Sequence, residues 1–202
     1  MPYKSFSMHE LSEKFGVSNK RALIFNNIST VKISQRLQDN IDDSSLFSLT
    51  SEKAKSEAII FPIMSEIKRN NKDKISIFSG ERLDVDEKMG LNGECDFIIS
   101  KNSNSFEVES PIITVIEAKK DNSDLGIAQC SAQMIGSKFF NEKRNHPIVP
   151  LYGCVTNADN WQFLMLKDNI ITIDIKKYYL NKLDELLGVF QFIIESYSYD
   201  LV

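Results

Sequence analysis

The hydrophobic pattern is weak over the first 50 residues and sharp after them. Before Ser51 the chain is mostly polar. Its clearest signal is Met8 to Phe15, whose spacing fits a short amphipathic helix stopped by Gly16. Ser51 is a good N-cap, and Ala54 to Lys68 predicts a helix that Pro62 should kink. Ile75–Ser79 and Glu81–Val85 read as extended segments, and Met89–Gly93 as a turn. Cys95–Ile99 reads as a strand, and the β-branched run Ile112–Ala118 as a central strand.

A second helix is expected over Asp124 to Phe140. Helical spacing puts Leu125, Ala128, Ala132, Ile135 and Phe139 on one stripe, and Ile127, Cys130 and Met134 on another. A helix apolar on two sides is largely buried. Ile148–Val155, Trp161–Leu166 and Ile170–Ile175 predict three more strands, with Lys167-Asp168-Asn169 as a hairpin turn. Asn181 to Tyr197 closes the chain as an amphipathic helix. Helices and strands in this order predict an α/β domain with a mixed β-sheet flanked by helices. Residues 1–50 are expected to form an arm that packs on the main domain, residues 51–202.

Composition narrows the function classes. The 202 residues are 42% hydrophobic and 26% charged, a globular mixture. No apolar run approaches the ~18 residues of a membrane span. The first residues lack the apolar core of a secretion signal, and the three cysteines form no CxxC pair. A reduced, cytoplasmic setting is the expectation. The two histidines, His9 and His146, have no ligand-like neighbours in sequence and read as surface residues, which disfavours a histidine-based zinc site. No phosphate-cradling GxxxxGK[ST] loop is present. The net charge of −4 does not by itself favour nucleic acid. Glu10 to Ser18 faintly resembles the first half of a helix-turn-helix, without the second half.

The chemistry concentrates in Gly93-Glu-Cys-Asp96-Phe-Ile-Ile, followed by Thr114-Val-Ile-Glu117-Ala-Lys119. Strand alternation points Glu117 and Lys119 the same way, at the end of an apolar strand where an acid and a lysine are costly to bury unless paired or bound. If the two strands pair antiparallel, Asp96 and Glu117 face each other across the ladder. Two adjacent carboxylates repel unless a cation lies between them, and Mg²⁺, or Mn²⁺, suits such hard oxygen ligands. Lys119 would stand beside the bound water or a phosphate. An acid and a lysine two apart are a weak signal by themselves. Glu66-Ile-Lys68 repeats the spacing on a helix, where the two side chains diverge by about 200°. An edge-strand salt bridge with a solvated Asp96 is the plain structural alternative.

These residues resemble the PD-(D/E)xK nuclease superfamily, the restriction-endonuclease-like fold, over residues 51–175. The resemblance implies a core of helix, three antiparallel strands, helix and strand. It also implies metal-binding acids at Asp96 and Glu117, with Lys119 completing the motif. Cys95 stands where the family signature has proline. Ser51 to Met64 is similar to the first helix of the nuclease domain of type I restriction motor subunits, and Thr156 to Leu164 to a later strand-turn-strand of those domains. As a whole the chain most resembles small stand-alone bacterial members of the superfamily.

The resemblance also implies an extra metal acid on the first helix. Glu52 and Glu57 are the candidates, and Glu52 is chosen for its offset from Pro62. RecB-like relatives carry Gln-x-x-x-Tyr in the second helix, which assigns Gln129 a supporting role. Gln133 stands where the tyrosine would be. A solvated Glu52 and a structurally bonded Gln129 are the alternatives. Trp161 is expected to pack on the sheet rather than stack on a base, and Cys95, Cys130 and Cys154 to be buried. Lys138, Lys143 and Arg144 make a modest basic group at a helix end.

Three readings follow. The first is a metal-dependent nuclease that hydrolyses phosphodiester bonds, DNA being its favoured substrate. The second is a non-catalytic binding or regulatory module on the same fold. The third is a homodimer or a subunit of a larger assembly.

Overall fold

Serine side chains cap the first helices of the chain. The computed structural model describes residues 2–103, 105–119 and 124–197. In α1 (Met8–Phe15) the Ser7 side chain accepts from the Glu10 backbone while Glu10 reaches back to Ser7, and Gly16 ends the helix at a φ of 64°. Next come β1 (Ser18–Ala22) and α2 (Gln35–Ser44), the latter capped by Ser34. Ser51 caps α3 (Glu52–Lys55), whose helical path continues as a π turn over Ser56–Ile60 into α4 (Phe61–Asn70). The expected kink at Pro62 is absorbed by this register change. Pro62 lies in the first turn of α4, where its missing N–H costs least.

The remaining elements are β2 (Ser76–Arg82), β3 (Glu94–Ser100), β4 (Ile112–Ala118), α5 (Asp124–Lys143), β5 (Leu151–Thr156), β6 (Asn160–Lys167), β7 (Ile170–Tyr179) and α6 (Leu183–Ser196). The strands form one seven-stranded sheet in the order β1-β7-β6-β5-β4-β3-β2. β1 runs parallel to β7 and β4 parallel to β5, while the other neighbours are antiparallel. The protein is therefore an α/β domain with a mixed sheet flanked by helices. Among the described residues no helix is long and apolar enough to cross a membrane.

Two apolar layers cover the sheet. On one face Ile59, Ile63 and Ile67 from the π turn and α4 and Phe190 and Ile194 from α6 pack on Phe97, Trp161 and Phe163. On the other, Cys130, Met134 and Ile135 of α5 pack on Val115, Val155 and Leu164. The first 50 residues enter both layers. Tyr3, Phe6 and Leu11 join the α5 layer, and Phe25 and Leu37 the other. Asp168 and Asn169 take φ values of 50° and 58°, the left-handed pair that a two-residue hairpin turn requires.

Two elements escaped the sequence reading. β1 is polar and almost wholly exposed, so it carries no alternation; only its parallel pairing with β7 makes it a strand. In α2, Leu37 is the buried apolar residue, and the cap at Ser34 is tied by Glu66, whose carboxylate accepts from the Ser34 backbone and hydroxyl. Glu66, whose spacing to Lys68 repeats that of Glu117 and Lys119, thus serves a helix junction.

Candidate active site

The ladder between β3 and β4 ends at Phe97↔Ile116. One residue further, Asp96 and Glu117 come abreast where the backbone pairing stops. The Ala118 N–H is taken instead by the Asp96 carboxylate, Oδ2 accepting at 2.7 Å. Beyond it, the Lys119 N–H donates to Thr156 O at 2.7 Å and carries the β4–β5 pairing past the end of β4. An acid, an acid and a lysine are thus fixed by backbone hydrogen bonds at one end of three adjacent strands.

Glu117 is only 2% exposed. Its Oε1 lies 2.6 Å from Lys119 Nζ, and its Oε2 accepts from Gln133 Nε2 at 2.6 Å. The expected common direction of Glu117 and Lys119 is seen in that contact. Gln133 is fully buried on α5, and its own Oε1 has no partner among the described residues. Gln129, one turn earlier on α5, is half-buried. The glutamine that meets the carboxylate is thus Gln133.

Gly126 is a further residue the sequence reading passed over. A Cβ there would stand 3.1 Å from Lys119 Cγ and 3.1 Å from Val155 Cγ1. Glycine lets the first turn of α5 close on the lysine stem. The signal was available: a glycine inside a helix costs about 1 kcal/mol against alanine and implies a close approach.

The charges are coupled. Burial first, and then the neighbouring Asp96, push the Glu117 carboxyl up to about 7. Burial also raises Asp96, with Glu52 and Glu94 adding to it and the Ala118 N–H and Lys119 opposing it. For Lys119, burial alone would lower the ammonium, but Glu117, Asp96 and Glu52 outweigh it and leave it above its ordinary value. Two partly desolvated carboxylates, Asp96 and Glu117, thus share the Lys119 ammonium.

Asp96 opens onto a groove of about 420 Å³ between α3, the π turn and β2–β4, whose charged lining is Glu52, Lys53, Glu57 and Glu94. Both helix acids named from the sequence reach this groove; Glu52 is exposed and is the one whose charge acts on Asp96 and Lys119. Lys55 pins the helix above the site, donating to Asn157 O and Asp159 Oδ2, each at 3.1 Å. Trp161 is fully buried against Phe190 and lies outside the groove. Among the described residues no group of three or more histidine, cysteine, aspartate or glutamate side chains is gathered closely enough to hold a metal ion. A cation here would rest on Asp96 and Glu117 with water or substrate oxygens completing its shell, the usual Mg²⁺ arrangement. No family model, no curated protein and no solved structure matches this chain.

Proposed function

We propose that this protein is a divalent-metal-dependent nuclease acting on phosphodiester bonds, with DNA as its favoured substrate. One observation carries the reading. Asp96 and Glu117 lie abreast at the end of a strand pair, both held above their ordinary titration range, with Lys119 Nζ at 2.6 Å from Glu117. Two desolvated carboxylates that repel each other are stabilised by a cation, and their hard oxygens suit Mg²⁺ or Mn²⁺. The order α3–α4, β2, β3, β4, α5, β5 is the helix, three strands, helix and strand that the resemblance implies, which supports the reading.

A cation held by Asp96 and Glu117 supplies Lewis acidity toward a phosphate oxygen and makes a bound water more acidic. Lys119 presents a fixed positive charge to that water or to the phosphate. Gln133 holds the Glu117 carboxylate in place from behind. Glu52, on the rim, adds negative charge to the groove that a cation enters.

A second reading has its own support. Glu117 is almost completely buried and both its oxygens are already engaged, as in a structural ion pair of a non-catalytic binding module. Calorimetric titration of Mg²⁺ and Mn²⁺ into the wild type and into Asp96→Asn with Glu117→Gln separates the two. Binding that the double variant loses, together with metal-dependent cleavage that Lys119→Ala abolishes without releasing the metal, supports the nuclease. Absence of binding up to ~10 mM, with and without DNA, favours the module.

A further inference from the structure

The far end of the β3–β4 pair carries a second, unrelated constellation. Ser110 Oγ lies 2.7 Å from His146 Nδ1. With the ring proton on Nε2, the Ser110 hydroxyl donates to Nδ1, which makes the imidazole a base for that hydroxyl. The pair lines a cavity of about 450 Å³ together with Pro111, Ile148, Val149 and Tyr197, an apolar wall, and with Lys101. Lys101 Nζ donates to Ile194 O at 3.1 Å.

A surface hydrogen bond between a serine and a histidine is commonplace; the frame behind this one is not. Asn141 is buried at the end of α5, and its side chain grips the backbone of Ile112 in both directions. Its Oδ1 accepts from the Ile112 N–H and its Nδ2 donates to Ile112 O, each at 2.8 Å. The same residue's backbone carbonyl accepts from the His146 N–H at 3.0 Å. One asparagine therefore fixes the chain two residues after Ser110 and the chain at His146. Nucleophile and base are held in register by a buried clamp rather than by two mobile loops. Ser110 is 9% exposed and lines the cavity, while His146 is open to solvent.

We infer that Ser110 is a nucleophilic serine with His146 as its general base, acting on small, activated acyl esters whose apolar part lies along the cavity wall. In the acylation step, Ser110 Oγ forms a bond to the acyl carbon and its proton passes to His146 Nδ1. The ester C–O bond breaks, and the alcohol or phenol leaves with the proton from His146. Water then attacks the acyl carbon while giving a proton to His146; the bond from the acyl carbon to Ser110 Oγ breaks, His146 returns that proton to Oγ, and the acid leaves with the serine hydroxyl restored. The positive charge of Lys101 on the same wall is of the sign that stabilises the oxyanion. None of this involves Asp96, Glu117 or Lys119.

The test is covalent labelling of the wild-type protein with an alkyl fluorophosphonate, located by peptide mass spectrometry, with p-nitrophenyl acetate turnover in parallel. The expected result is a single label on Ser110, lost in Ser110→Ala. His146→Gly should label at least ~100-fold more slowly, the usual contribution of a general base, and added imidazole should restore part of the rate. Failure of native wild type to label at Ser110 overturns the inference. So does labelling that His146→Gly leaves unchanged while its circular dichroism and melting remain those of wild type.

Discussion

Gln133 and Glu117 meet at 2.6 Å, the amide Nε2 donating to Oε2, while the opposite oxygen of the same carboxylate faces Lys119. The amide favours the charged carboxylate against the burial that opposes it. Gln133→Leu keeps the bulk and removes the donor. The Glu117 titration should then move up from about 7, and Mg²⁺ affinity should drop by about tenfold or more, as for other residues that orient a ligand. Carboxyl-carbon NMR and calorimetry read the two effects. An unmoved Glu117 titration would show that the glutamine is only packing.

Glu117 also sets a pH dependence of stability. Its carboxyl rises from an ordinary value near 4.5 to about 7 in the folded chain, so the folded state binds the extra proton between those values. The associated stabilisation is fully present below about 4.5 and is lost as pH rises through 7. At ~1.4 kcal/mol per unit, the whole effect is on the order of 3–4 kcal/mol. Metal-free wild type should therefore lose stability in denaturant between pH 5 and pH 8, and Glu117→Gln should flatten that slope. Mg²⁺ should counteract the loss at pH 8. A slope that Glu117→Gln leaves intact would place the titration elsewhere.

Asp174 is 1% exposed, with Oδ1 accepting from the Lys176 N–H at 3.0 Å and the Ile24 N–H at 3.4 Å. Its Oδ2 is buried with no partner among the described residues, and burial raises its carboxyl. The sign is the same as for Glu117: its stabilisation fades as pH rises above the ordinary aspartate range. Asp174→Asn keeps Oδ1 for both donors and removes the buried charge. It should raise the melting temperature at pH 8 and change little at pH 4. A lower melting temperature at pH 8 would mean the carboxylate is needed as an anion.

The parts of this fold that repeat were readable in the sequence, and the parts held by single contacts were not. The unbroken β-branched run Ile112–Ala118 marked β4 as a central, fully buried strand, and the two-residue period of a strand aimed Glu117 and Lys119 together, as the 2.6 Å contact shows. The two apolar stripes of Asp124 to Phe140 announced a buried helix, and α5 is one. By contrast β1 has no pattern to read, and α2 is polar over most of its length. At the site, the resemblance assigned the supporting role to Gln129, whereas Gln133, one turn further along α5, is the glutamine that donates to Glu117. Likewise Ser110 and His146 are 36 residues apart, and the clamp at Asn141 that joins them has no local sequence signal.

Gly136 is where the N-terminal arm meets α5. A Cβ at this position would overlap the Tyr3 hydroxyl and stand 2.9 Å from two of its ring carbons, Cε1 and Cζ. Tyr3 is 1% exposed and donates to Leu83 O at 2.8 Å. Gly136→Ala should expel Tyr3 and cost about 1–3 kcal/mol, the range for overpacking a tight contact. Limited proteolysis should then cut the arm near Tyr3 in the variant and spare it in wild type. Tyr3→Phe, which loses only the hydrogen bond to Leu83, should cost about 1 kcal/mol and leave the arm protected.

Gly126 offers a test in which stability and activity separate. Alanine is the better helix former by about 1 kcal/mol, yet its methyl would stand 3.1 Å from Lys119 Cγ and Val155 Cγ1. Such contacts are tight enough that the lysine stem must give by a few tenths of an ångström. The gain in helix propensity offsets that strain, so Gly126→Ala should melt within a few degrees of wild type. The Lys119 ammonium should, however, shift relative to Glu117. Misplacing a catalytic group by ~1 Å costs ~100-fold, so a smaller shift should lower metal-dependent cleavage by about tenfold while Mg²⁺ affinity holds. Nζ resonances of Lys119 in ¹⁵N-labelled protein report the displacement without any appeal to turnover. A variant that cleaves at the wild-type rate with an unmoved Lys119 signal would show that the first turn of α5 does not position the lysine.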